Sequence, residues 1–215
     1  MDEIDWSSER RGLLDRQRCY ELLDKLNERM PPVPTPADIY VIGGAAMALE
    51  YDPARQTEDI DAVIRRYESE VLAAAEAIAA ENPDLGPGWL NQTANAHNNL
   101  PTAADPDERT SYEGSRIRVK SAGAEWLLAM KIEAGREKDA GDIARLLKET
   151  GTKTIEEVVA IHQRAFPGHR LGEERRKNVK ALLTEPARAA AERGKLEAGR
   201  RAPEPTPPER QGPER

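Results

Sequence analysis

The sequence predicts an α/β (α+β) domain with a small mixed sheet, flanked by an N-terminal helix and followed by a C-terminal helical lobe. Two observations carry this expectation. Short runs rich in β-branched residues, at 39–42, 59–64 and 116–120, have the length and composition of strands rather than helices. Longer stretches on either side repeat apolar residues at steps of three and four, the spacing that gathers them on one face of a helix.

Residues 7–30 read as the first helix, because Cys19, Leu22, Leu23, Leu26 and Met30 recur at helical spacing. Pro31, Pro32, Pro34 and Pro36 end it and stiffen the connector. Ile39-Tyr40-Val41-Ile42 then reads as a buried strand that runs into a tight turn at Gly43-Gly44. Residues 45–51 are expected to be helical, stopped by Asp52-Pro53. Residues 59–64 form a second strand, with Ile60, Ala62 and Ile64 on one face and Asp59, Asp61 and Val63 on the other. An Ala-rich helix follows at 68–81. Residues 82–114, which hold Pro83, Gly86, Pro87, Gly88, Pro101 and Pro106, are expected to be irregular. A third, half-exposed strand spans 116–120.

The remainder reads as helical. Ser121 is a candidate cap for a helix through Trp126, Leu127, Met130 and Lys131. Residues 137–150 form the next, stopped at Gly151. Thr154 and Glu157 have capping-box spacing for a third, which ends near Pro167-Gly168, and 171–183 is a fourth candidate. The last twenty or so residues hold Pro203, Pro205, Pro207, Pro208 and Pro213 and are expected to lack fixed structure. The expected organisation is therefore 1–36 for the N-terminal helix and connector, 37–150 for the catalytic-type domain, 151–184 for the helical lobe and 185–215 for a disordered or partly helical tail.

Composition narrows the function classes. The 215 residues are 38% hydrophobic and 33% charged, and mean hydropathy is −0.74. No apolar run approaches the roughly 20 residues that span a bilayer, and the acidic first five residues lack the order of a signal peptide. A soluble, cytoplasmic protein with no membrane partner is expected. Cys19 is the sole cysteine, which leaves no internal disulfide and no Cys-rich zinc site, and its leucine neighbours suggest a buried thiol. A net charge of −7 argues against coating DNA, and no recognition helix for sequence-specific DNA binding is evident. His97, His162 and His169 lack metal-ligand spacing and are expected at the surface.

One constellation carries chemistry. Carboxylates at i and i+2 of a strand share a face, roughly 6–7 Å apart at Cα, as Asp59 and Asp61 would. Magnesium takes one or two carboxylates plus phosphate oxygens, so this pair suits one or two Mg2+ ions held against a triphosphate. A glycine turn between strand and helix, as at Gly43-Gly44, lets backbone N–H groups approach phosphate oxygens. Trp89, after Gly86-Pro87-Gly88 and before Asn91, is either packed or part of a substrate loop.

These segments resemble a known family. Val41-Ile42-Gly43-Gly44-Ala45-Ala46-Met47, followed by Arg55-Gln56-Thr57-Glu58-Asp59-Ile60-Asp61, is similar to the DNA polymerase β-type nucleotidyltransferase superfamily, and most of all to its AbiEii-like, toxin-related branch. Trp89-Leu90-Asn91, Leu128-Ala129-Met130-Lys131 and Arg136-x-Lys138-Asp139-x-x-Asp142-Ile143 resemble further motifs of that branch. The resemblance spans about residues 39–150. It implies a nucleotidyltransferase-type sheet, metal binding by Asp59 and Asp61, and nucleotide contacts from Gly43, Gly44, Arg55, Thr57 and Lys131. It also implies a catalytic group of Asp59, Asp61, Lys131 and Asp139. Lys131 would neutralise triphosphate charge, and Asp139 would orient Lys131 or activate an acceptor hydroxyl. The implied activity is transfer of a nucleoside monophosphate to a hydroxyl of tRNA or protein, in toxin–antitoxin or phage-defence biology. A cognate toxin or antitoxin protein is the other implied partner. The chain departs from the pattern at the strand after Asp-x-Asp. Many superfamily enzymes carry a third carboxylate there, whereas Arg116-Ile117-Arg118-Val119-Lys120 has none and Glu113 only precedes it. The alternative is a catalytically weak module that binds a nucleotide or a partner.

Overall fold

The structure, a computed structural model, describes residues 12–92 and 100–184. It is a mixed α/β fold with a five-stranded sheet in the order β3-β2-β1-β5-β4 and seven α-helices among the described residues. The expected tail and His97 lie outside the described residues.

The central strand is β1, Ala37–Val41, buried at every position except Asp38. It pairs in parallel with β5, Ile117–Ser121, and antiparallel with β2, Ile60–Ile64. Both neighbours alternate in burial, because one side of each packs on the core. On β2, Ile60, Ala62 and Ile64 are buried while Asp61 and Val63 are half-buried, as the sequence pattern predicts. The edges are β3, Leu90–Asn91, parallel to β2, and β4, Arg109–Glu113, antiparallel to β5. Both lie in the stretch expected to be irregular. β4 reads Arg-Thr-Ser-Tyr-Glu and buries none of its residues, so it carries no apolar alternation. Its strand conformation comes from pairing with β5.

Helix α1, Arg16–Arg29, starts at Asp15, whose carboxylate accepts the Arg18 N–H at 2.8 Å. The helix is shorter than the sequence suggests. Leu14 lies ahead of it in an antiparallel bridge, exchanging two backbone hydrogen bonds with Thr57 at 2.7 and 2.9 Å. Cys19, Leu22, Leu23 and Leu26 are wholly buried in the same core as the sheet. Burial pushes the Cys19 thiol up to about 12, so it stays protonated and acts as a small apolar group.

Helix α2, Gly43–Ala46, continues as a π-helical turn, Met47–Tyr51, where a single helix was expected. Helix α3, Glu68–Glu81, has the expected bounds. Helix α4, Ala124–Ala134, starts at Gly123 rather than at a Ser121 cap. Ser121 instead completes β5, buried, with its hydroxyl 2.7 Å from that of Ser111. A 3-10 turn, Glu137–Asp139, leads into α5, Ala140–Glu149, and Gly151 follows with φ +68. Helix α6, Ile155–Ala165, has the predicted capping box of Thr154 and Glu157. Helix α7, Glu173–Leu182, ends the described chain.

His162 corrects the expected surface placement. It is fully buried, with Nε2 2.8 Å from Glu133 Oε2, and its ring stacks on Phe166 at 5.1 Å between centroids. Val158, Ile161, His162 and Ala165 form the buried stripe of α6 at helical spacing, so the pattern that marks core positions includes it. His169 is exposed. Among the described residues no helix is long and apolar enough to cross a membrane.

Because α1 shares the sheet's core, Leu23→Ala is expected to lower unfolding free energy by about 2–5 kcal/mol. The exposed Gln17→Ala on the same helix should change it by less than about 0.5 kcal/mol. Urea denaturation of the two variants checks this. A neutral Leu23→Ala would mean that the helix is a detachable appendage.

Candidate active site

A cavity of about 300 Å³ opens between the end of β1, the start of β2 and helix α4 with the turn behind it. Its shape begins with the glycines. Beyond β1 the chain turns at Gly43, which has φ +65, a conformation that side-chain-bearing residues rarely adopt. The Ile42 N–H donates to the Asp61 carbonyl at 2.9 Å and holds this turn against β2. A Cβ on Gly43 would stand 3.0 Å from Asp61 Oδ2, and one on Gly44 would stand 2.4 Å from Thr57 Oγ1. Any side chain at Gly44 therefore overlaps the Thr57 hydroxyl, and one at Gly43 crowds the Asp61 carboxylate.

Asp59, one residue ahead of β2 although the strand was expected to include it, and Asp61, the second residue of β2, both line this cavity. Burial, and then the charge of Asp59, raise the Asp61 carboxyl above its ordinary range, while Arg136, Lys131 and Lys138 pull it back. Two half-buried carboxylates that repel each other and open onto one cavity form a donor set that suits a hard divalent cation. Asn91, register partner of Asp61 on β3, donates from Nδ2 to Asp59 Oδ2 at 3.0 Å and to the Gly88 carbonyl at 3.2 Å. The edge strand thus orients the first carboxylate. Among the described residues no group of three or more His, Cys, Asp or Glu side chains is arranged to hold a metal ion.

The opposite wall holds a buried ionic cluster. Lys131, on α4 and 6% exposed, donates to Asp139 Oδ1 at 2.8 Å and lies 2.9 Å from Asp142 Oδ2. Asp142, in the first turn of α5, is wholly buried and also lies 3.5 Å from Arg55 Nε. Asp142 is more than a helix-terminal charge, because it ties α5 to both α4 and the 52–59 loop.

The structure brings Gly43, Gly44, Arg55, Thr57, Asp59, Asp61, Lys131 and Asp139 to a single cavity. It leaves out two other candidates. Trp89 is 2% exposed and donates from Nε1 to the Ala75 carbonyl at 3.0 Å, so it packs on α3 and offers no stacking face. Glu113 sits on the far edge strand, where its carboxylate grips the Arg118 guanidinium instead of replacing a third carboxylate. Asn91 and Arg136 also belong to the site's surroundings, although sequence gave neither an individual role. Only their places in the matched motifs hinted at them.

Comparison with known families matches residues 17–176 to the model described as "Nucleotidyltransferase of unknown function (DUF6036)". No curated protein and no solved structure matches the chain.

Two stability changes of different size follow from this geometry. Asp142→Ala strips a buried Lys131–Arg55 cluster of an anion and is expected to cost about 3–5 kcal/mol by denaturant unfolding. Asp61→Asn should leave the magnesium-free protein as stable at pH 7 or more so. A raised carboxyl gives its full contribution below the unfolded-state value and loses it as pH rises, so the ionised form is the strained one. The advantage of Asn should therefore vanish as pH falls into the ordinary carboxylate range. An Asp61→Asn variant that melts well below wild type at pH 7 would contradict the described electrostatics.

Proposed function

We propose that this chain, which belongs to the nucleotidyltransferase family matched over residues 17–176, moves a nucleoside monophosphate from a nucleoside triphosphate to an acceptor hydroxyl. The observation that carries this is the convergence of the Gly43-Gly44 turn and the Asp59/Asp61 pair on one cavity. In the reaction the acceptor oxygen bonds to the α-phosphorus, the bond from that phosphorus to the bridging oxygen breaks, and pyrophosphate leaves. The hydroxyl proton passes to solvent.

The cavity residues divide this work. Backbone at Gly43 and Gly44 comes close to the phosphate chain because neither residue has a side chain to hold it off. Thr57 packs over Gly44 and fixes the floor. Arg55 braces that loop through Asp142. Asp59 and Asp61 hold magnesium, with Asn91 keeping Asp59 aimed. When bound, magnesium supplies charge stabilisation on the attacking and leaving oxygens of an in-line displacement. Asp139 orients Lys131, whose ammonium donates to its carboxylate at 2.8 Å.

The matching motifs Arg55-x-Thr57-x-Asp59-Ile60-Asp61 and Arg136-x-Lys138-Asp139 support an AbiEii-like branch. On that footing the acceptor is tRNA or a protein, and the setting is toxin–antitoxin or phage-defence biology. One observation favours a second reading, a nucleotide- or partner-binding module with weak catalysis: among the described residues the site offers two metal-facing carboxylates and no three-ligand group.

The test is incubation with each α-labelled triphosphate, magnesium and total tRNA or protein. Label should move to a macromolecule, and Asp59→Ala and Asp61→Asn should each reduce transfer by at least about 100-fold, in the range for loss of a transition-state electrostatic group. Triphosphate binding without transfer would leave the binding-module reading. Absence of both would end the nucleotide assignment.

A further inference from the structure

We propose that Arg136 and Lys138 are the side chains that take the anionic phosphate chain, and that Lys131 is the positioning residue that presents them. The proposal rests on the nucleotide reading above. Four cations line the cavity: Arg55, Lys131, Arg136 and Lys138. Two are already committed. The Lys131 ammonium sits between Asp139 and Asp142, and the Arg55 guanidinium is shared between Asp142 and the Gln56 carbonyl. To meet a phosphate, Lys131 would have to leave two buried carboxylates, one of them wholly buried, and give up its 2.8 and 2.9 Å contacts to them.

Arg136 and Lys138 face no such conflict. Both are exposed, and among the described residues neither side chain makes a hydrogen bond or an ion pair. Both charges nonetheless reach the Asp61 carboxylate, Arg136 the more strongly. They lie near the metal-facing pair yet spend no binding capacity on it. A guanidinium offers a planar fork for two phosphate oxygens, and the lysine adds a mobile point charge. A magnesium triphosphate retains net negative charge, which two uncommitted cations at the mouth would match.

The turn explains how they are held. Helix α4 ends at Gly135, with φ +63, whose N–H donates to the Lys131 carbonyl at 3.1 Å. The Arg136 carbonyl then accepts the Asp139 N–H at 3.0 Å and closes the 3-10 turn. Lys131 stands before this turn, and Asp139 and Asp142 stand after it. Their ion pairs clamp its two ends and fix the direction in which residues 136 and 138 leave it.

The test uses the full chain and calorimetric titration with the magnesium salts of ATP, GTP, CTP and UTP. Arg136→Ala and Lys138→Ala should each weaken binding of the preferred triphosphate about tenfold, the worth of one charge-assisted contact. They should flatten its salt dependence and leave the melting temperature unchanged. Arg136→Lys should recover part of the loss. Lys131→Ala should also weaken binding, but its loss should overlap that of Arg136→Ala in the double variant instead of adding to it. Should Lys131→Ala fail to fold, Lys131→Arg, which keeps a cation between the two aspartates, should bind with Arg136 still contributing its tenfold. Affinity within about twofold of wild type in both Arg136→Ala and Lys138→Ala, or full additivity with Lys131→Ala, overturns the proposal while leaving the nucleotide site standing. A wild-type chain that binds none of the four triphosphates overturns both.

Discussion

The antiparallel pairing of β1 with β2 sets the distances on which the cavity depends. Val41 lies opposite Ala62, and one step beyond it the Ile42 N–H reaches the Asp61 carbonyl. That contact presses the Gly43-Gly44 turn onto the strand that carries Asp61 and follows directly on Asp59. The closeness is steric as well as electrostatic, because the space a side chain would need is occupied by Asp61 and Thr57. A slip of one residue between these strands would turn Asp61 to the core side and put Ile60 or Ala62 in its place. The apolar faces of β1 and β2 oppose that slip, so core packing protects the register of the polar site.

The other wall is built on a different principle. Sheet and glycine turn hold the carboxylates by backbone hydrogen bonds, whereas α4, the 3-10 turn and α5 add a buried ion-pair cluster to their apolar packing on the core. Lys131, Asp139 and Asp142 are buried, and the lysine pairs with both carboxylates. Such a cluster brings little net stability compared with an apolar core, but it tolerates few alternative arrangements. Its reach to Arg55 carries the same order across to the loop that precedes β2.

Much of this was legible from sequence. The helix at 68–81, the strand read at 59–64 and the capping box at Thr154 announce themselves through local pattern, and the structure repeats them, the strand starting one residue later at Ile60. The candidate site was legible because its members sit in short, dense motifs beside the strands. What was not legible depends on partners distant in the chain. β4 has no apolar alternation and exists through β5. Ser121 looks like a helix cap until β5 is seen to extend through it. His162 is polar by composition and core by position, and only its place in the Val158, Ile161, Ala165 stripe discloses that. The pairing of Asn91 with Asp59 needs a two-residue strand that no periodicity could mark.

The bridge between Leu14 and Thr57 bears on where this fold begins. The family match starts at residue 17, inside α1. A chain cut at that boundary would keep the buried leucines of the helix, yet it would lose Asp15, which caps it, and Leu14, whose N–H and carbonyl are the backbone partners of Thr57. Thr57 is the residue that closes over Gly44. The floor of the cavity is therefore tied down by residues that lie ahead of the segment the family match covers.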